Sequence, residues 1–278
     1  MKKKQMGSTI TDPRTTEELI RLALTEKDED AAWEPVTVLH ERGSREVLVA
    51  AQRLCASSEA AERELGANLL GQLGTPEQPF ADERFDCLAK TIRSETDADV
   101  LQAIAVAFGH LNDPRCVELL LPLKAHPDDL VRWGVVHGIK GHSHPGAAEA
   151  LIELCRDEDE EVRDWATFAL GSEIDADSPE IREALWECLS DEYDEVRAEA
   201  LTGLARRKDP RIAEILLKEL AAEYVEIQTI DAAVEFGDPI LLPALKKLKK
   251  HWPEDREDEE ECLDNAIHSC RKSSEKSR

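Results

Sequence analysis

Asp157-Glu158-Asp159-Glu160-Glu161-Val162-Arg163-Asp164-Trp165-Ala166-Thr167-Phe168-Ala169-Leu170-Gly171 is an acidic turn running into a helix with small residues along one side. Its pattern is acidic-x-x-Val-Arg-x-x-Ala-x-x-x-Leu, and near-copies recur along the chain. With the Val as anchor, Val162-Arg163 has sisters at Val131-Arg132 and Val196-Arg197. Val100 and Val225 fit without the Arg, and Ala32 and Glu62-Arg63 fit the surroundings without the Val. The anchors fall at 32, 62, 100, 131, 162, 196 and 225, separated by 30, 38, 31, 31, 34 and 29 residues. A period of this length is the mark of stacked helical pairs, each unable to bury its apolar face alone.

A second mark fixes the frame. A proline stands 14 residues after most anchors, at Pro76, Pro114, Pro145, Pro210 and Pro239, and Pro179 comes three residues late. Proline suits the first turn of a helix, where its missing N–H has no partner to lose. Asp113, Asp209 and Asp238 precede such prolines and supply caps. Each unit is therefore proline, helix A, acidic turn, helix B and a short loop. The pairs are expected at 15–25 with 30–41, 45–56 with 60–73, 82–109, 114–139, 145–171, 179–205, 210–236, and 239–251 with 257–271. The fold class is all-α, an α-solenoid of about eight helical pairs over residues 14–271. Residues 1–13 and 272–278 read as disordered ends.

Composition agrees and excludes several functions. Of 278 residues, 41% are apolar, 34% charged and only 4% aromatic, and the formal net charge is −25. Nucleic-acid affinity comes largely from Lys and Arg releasing counterions, so a surface this acidic argues against a nucleic-acid partner. A basic protein would instead be steered in. No apolar run approaches the roughly 20 residues of a membrane span, and a cytoplasmic location is expected. The seven cysteines are odd in number, lack any Cys-x-x-Cys and mostly sit among Leu, Ile and Ala. They read as reduced core thiols. His142-Ser143-His144 beside Pro145 reads as a turn, with no fourth ligand for zinc. No nucleophile motif or phosphate-binding loop is present. No metal, cofactor or catalytic residue is expected.

The repeat units resemble the short HEAT repeats of the phycocyanobilin-lyase type over nearly the whole chain. From Val162-Arg163-Asp164-Trp165-Ala166-Thr167-Phe168-Ala169 through 191–207 to Glu235-Phe236-Gly237-Asp238 and Leu241-Leu242-Pro243, the chain is similar to YibA-like HEAT-repeat proteins of enteric bacteria. Those are associated with Rhs toxin loci, and the resemblance implies a non-catalytic immunity protein that neutralises a polymorphic toxin. The repeat type alone implies two alternatives, an accessory subunit of a bilin-lyase-type enzyme and a general scaffold.

In short HEAT solenoids the B helices line the concave face. The period of 3.6 residues then leaves positions −1, +2, +3, +6 and +10 from each anchor free and turns +4 and +8 into the stack. Those free positions bring Trp133 and His137 beside Glu161, Asp164, Trp165 and Phe168. Glu195, Glu199, Tyr224, Gln228 and Asp231 continue the row. In a chain this poor in aromatics, rings set among acids have the composition of a binding hot spot. The competing reading is that Trp165 and Phe168 only fill the groove between neighbouring helices. Arg63, Arg132, Arg163 and Arg197, at anchor +1, are expected to be structural and to reach acids in the next turn. The partner expected is a basic toxin domain held in an acidic groove.

Overall fold

An Asp, Ser or Thr ahead of each apolar stripe starts many of the helices. The side chains of Asp28, Ser44, Asp97, Asp128, Asp159 and Ser178 each accept a hydrogen bond from a backbone N–H in the first turn that follows. Thr15 and Glu18 close a reciprocal capping box. The computed structural model describes residues 12–252, 256 and 260–276, and no strand occurs among them. The helices are α1 (Thr16–Thr25), α2 (Glu29–Arg42), α3 (Arg45–Leu54), α4 (Ala60–Gln72), α5 (Ala81–Ile92) and α6 (Ala98–Leu111). After α7 (Val117–Leu120) come α8 (Asp129–Ile139), α9 (Pro145–Leu154), α10 (Glu160–Phe168), α11 (Pro179–Cys188) and α12 (Asp194–Arg206). The chain continues with α13 (Ala213–Glu219), α14 (Ile227–Phe236), α15 (Leu242–Lys250) and α16 (Glu260–Lys276).

The chain divides into two compact units, with the boundary between Leu119 and Leu120. In the first, α3 packs on α4, α5 on α6, and the B helices α2, α4 and α6 lie in series. In the second, α9, α11, α13 and α15 pack on their B helices α10, α12, α14 and α16, and the B series begins at α8. Val162, Ala166 and Leu170 are fully buried, as the repeat pattern requires of its inward positions. Each unit is thus a stack of HEAT-like helical pairs.

The anchor arginines form the expected ladder. Arg63 donates from Nε (2.6 Å) and Nη2 (2.9 Å) to Glu95. Arg132 forks onto Asp157 with two bonds of 2.7 Å, and Arg163 reaches Asp191 at 2.8 and 3.2 Å. Each guanidinium also donates to carbonyls of its own turn, such as those of His126 and Pro127 for Arg132. The acid stands five residues before the next anchor each time. Arg197 departs from this rule: it turns to its own Asp194 and to the carbonyl of Asp191, because Leu220 occupies the acid's position.

Several features differ from the sequence reading. The helix expected to run to Gly171 as α-helix ends at Phe168 and widens into a π turn over Ala169–Glu173. There the backbone comes into close contact with α12. A Cβ on Gly203 would lie 2.7 Å from the Gly171 Cα, and one on Gly171 would lie 3.1 Å from the Gly203 Cα. Arg207 then donates to the carbonyls of Leu170, Gly171, Ile174 and Ala176 that this turn exposes. In the first unit, fully buried Arg84 does similar work at the end of α4, donating to Leu70 and Gly71 at 2.6 and 2.7 Å. The Asp-Pro caps start short 3-10 turns at Pro114–Cys116, Pro210–Ile212 and Pro239–Leu241. Of the end expected to be disordered, residues 1–11 lie outside the described residues. Asp12 pairs with Arg14, whose fork also holds Glu34. At the other end, α16 continues through Lys276, and residues 277–278 lie outside the described residues.

Candidate protein-binding face

The residues singled out in the sequence all lie in the second unit. Val131, Val162 and Val196 turn inward on α8, α10 and α12, so positions two, three and six residues later turn outward. The rings converge across two neighbouring helices. His137 stacks against Trp133 at 3.9 Å between centroids and against Trp165 at 4.5 Å. Trp165 meets Trp133 edge-on at 6.5 Å and Phe168 edge-on at 5.8 Å. All four rings are half-buried, and Leu130, one turn before Trp133, is 51% exposed. The cluster therefore joins the helices and still presents an apolar surface.

Two polar atoms in this patch are buried without a hydrogen-bond partner among the described residues, Trp133 Nε1 and Asp164 Oδ1. Buried polar atoms are nearly always satisfied, so these two stand out from the rest of the helix surface. Asp164 is flanked by like charge. Burial first, then Glu195 and Glu161, raise its carboxyl above the ordinary carboxylate range. Burial and then Asp164 do the same to Glu199, and burial and then Glu235 do so to exposed Asp231. None of Glu161, Asp164, Glu195, Glu199 and Asp231 enters an ion pair among the described residues, although the ladder pairs lie one turn away. One cation does approach the rings: Lys140 Nζ lies 5.0 Å from the centre of Trp165. Nothing in the anchor pattern marks Lys140, which stands nine residues after its anchor, between two of the positions treated as free.

Tyr224 and Gln228 occupy different ground. The helix expected to carry Tyr224 begins only at Ile227, so Tyr224 lies in the turn before α14, 62% exposed under the Arg256 guanidinium. Tyr224, Gln228 and Glu195 line an open cleft of about 560 Å³ with Arg197 and Glu219. The structure therefore unites Trp133, His137, Trp165 and Phe168 with Glu161, Asp164, Glu195 and Glu199, and sets Tyr224 and Gln228 at a neighbouring cleft. No group of three or more His, Cys, Asp or Glu among the described residues could hold a metal ion, and no helix there is long and apolar enough to cross a membrane.

A stack of helical pairs tied by arginine ladders, with its free face on the B helices, is the architecture of HEAT-repeat proteins. The family model for HEAT repeats matches residues 85–171. The chain is similar to protein YibA of Escherichia coli strain K12, with 29% identity over 243 residues, 85% of this chain and 84% of that protein. A crystal structure of E. coli YibA superposes with a TM-score of 0.74 at 28% identity, covering 91% of this chain and 92% of that one. An archaeal HEAT-like repeat protein from Thermococcus onnurineus NA1 shares the fold, with a TM-score of 0.52 at 16% identity.

Proposed function

We propose that this chain is a non-catalytic binding protein that captures a basic protein domain on the outward face of α8, α10 and α12. The observation that carries the reading is Asp164: a half-buried carboxylate with an unsatisfied oxygen, among three other acids and beside four clustered rings. The same fold neutralises its structural carboxylates internally at Asp157 and Asp191, and leaves Asp164 without an ion pair among the described residues. A Lys or Arg side chain from a partner would satisfy it, while Trp133, Trp165 and Phe168 supply the apolar anchor. The likeness to YibA, together with the acidic charge, supports an immunity protein that covers the active site or substrate path of a cytoplasmic toxin domain.

The test is co-purification from the native host, followed by the double substitution Asp164→Lys with Trp165→Ala. We expect capture to weaken by at least about 100-fold, in line with the roughly 2 kcal/mol or more of each hot-spot residue, with circular dichroism unchanged. Co-expression of wild type with the captured partner should rescue growth if that partner is toxic. A double variant that binds its partner normally removes the face from consideration.

A further inference from the structure

The sequence reading treated all seven cysteines alike, but the fold sorts them. Two pairs lie where consecutive A helices pack, close enough for each thiol to shift the other's ionisation: Cys55 with Cys87 between α3 and α5 in the first unit, and Cys155 with Cys188 between α9 and α11 in the second. The second pair is sealed. Cys155 and Cys188 are 3% and 5% exposed, and the buried Thr167 hydroxyl sits 3.6 Å from each sulfur. The first pair opens outward. Cys87, half-buried on α5, and Cys55, at the end of α3, line a cleft of about 370 Å³ with Lys90, Thr91 and Gln52. Cys55 is itself buried and held tightly: a Cβ on Gly66 would lie 2.8 Å from its sulfur. The first pair therefore borders an open cleft, with Cys87 the more exposed member, whereas the second is closed off.

We propose that Cys87 is an oxidant-sensitive thiol and Cys55 its resolving partner, the pair closing to a disulfide that staples α3 to α5. The co-reactant is hydrogen peroxide. The Cys87 thiolate attacks one peroxide oxygen, the O–O bond breaks, and the leaving hydroxide takes a proton to become water. The Cys87 sulfenic acid is then attacked by the Cys55 sulfur, which gives up its proton; the S–O bond breaks and a second water leaves. The two thiols lose two hydrogens in total, and the peroxide is reduced to two waters. The order of roles follows from the surroundings. The hydrogen bond from Cys55, then Lys90 and the Thr91 hydroxyl, favours the Cys87 thiolate, whereas the same bond and burial hold Cys55 protonated. Cys188 is also pushed toward thiolate, by Cys155 and then Thr167, so charge does not separate the two pairs. Access does.

The test treats the folded full-length chain with millimolar hydrogen peroxide, alkylates the remaining thiols and maps them by mass spectrometry. The expected result is a Cys55–Cys87 disulfide formed at least about tenfold faster than any Cys155–Cys188 disulfide. In Cys55→Ser, the sulfenic acid on Cys87 should persist and be trapped by dimedone; in Cys87→Ser, Cys55 should stay reduced. Equal rates at the two pairs, or no dimedone adduct on Cys87 in folded Cys55→Ser, overturns the proposal. The wild-type comparison needs no substitution, so a variant that fails to fold leaves the test intact.

Discussion

Arg163 and Asp164 are neighbours in the chain and have opposite fates in the fold. Arg163 turns to the stack and pairs with Asp191, whose carboxyl is held below its ordinary range: burial opposes, and the Arg163 fork with the Tyr193 N–H outweighs it. Asp164, one position on, faces outward beside other acids, and its carboxyl is raised. The same contrast runs through the second unit. Acids five residues before an anchor are matched by arginines; acids two or three residues after it are left unmatched. At 3.6 residues per turn, consecutive residues such as Arg163 and Asp164 point about 100° apart, so one helix carries both a neutralised structural edge and an uncompensated face. Charge in the ladder holds the protein together, and charge on the face is available to something else.

The contrast can be broken most severely at Arg132. Its pair with Asp157 is almost fully buried, at 7% exposure on each side. Arg132→Met strands a buried carboxylate and should lower stability by about 3 kcal/mol in urea unfolding. Arg132→Met with Asp157→Leu should recover most of that loss, since the cost lies in the unpaired charge. A loss below about 1 kcal/mol in the single variant would show that the ladder is a surface decoration.

The face should respond in the other direction. Asp164→Asn removes a like charge from a crowded site, so stability at neutral pH should rise by about half a kcal/mol, while capture of the basic partner weakens by about tenfold. A substitution that stabilises the fold and damages binding would separate the two classes of acid in one protein. If Asp164→Asn destabilises instead, the residue belongs to the stack.

The smallest effect is a pH dependence with two opposed limbs. The Arg63 fork, against burial and with help from the Asp97 and Thr96 N–H groups, draws Glu95 down to about 2, well below its ordinary 4.5. Its stabilisation is complete above 4.5 and disappears as pH falls toward 2. Asp164 and Glu199 are raised, so the folded state holds their protons more tightly than the unfolded chain does. Their repulsion is fully present at neutral pH and relaxes as pH falls through their folded values. Melting temperature should therefore climb slightly on mild acidification and drop below about pH 4. In Asp164→Asn with Glu199→Gln the rising limb should flatten and the falling limb remain.

Most of the fold was legible because each repeat answers the same demand with the same residues. Val-Arg-x-x-Ala fixes the inward stripe, and the Arg announces the ladder before any partner acid is known. The aromatic cluster was legible for the same reason: once the anchors are set, positions 133, 137, 165 and 168 can only lie on the free face. What the sequence hid depends on contacts between elements. The π turn after Phe168 lies where Gly171 meets Gly203 on another helix, an approach that no local pattern announces. Tyr224 was misplaced because its turn lacks an Asp or Ser cap and α14 starts two residues after the anchor. The thiol pairs arise where consecutive A helices touch, and no local spacing announces them.

Leu220 leaves one more mark. Arg132 ties the fourth pair to the fifth and Arg163 ties the fifth to the sixth, but Arg197 finds no acid in the turn that follows. On the other side of the stack Arg211 does reach Glu183, through a solvent-exposed pair that contributes little. Stacked repeats behave as chains of nearest-neighbour couplings, and this one lacks the buried arginine fork that joins the pairs before it. The segment from α13 to α16 should therefore open as a cooperative block of its own, its amides exchanging with deuterium while those of α8 to α12 remain protected.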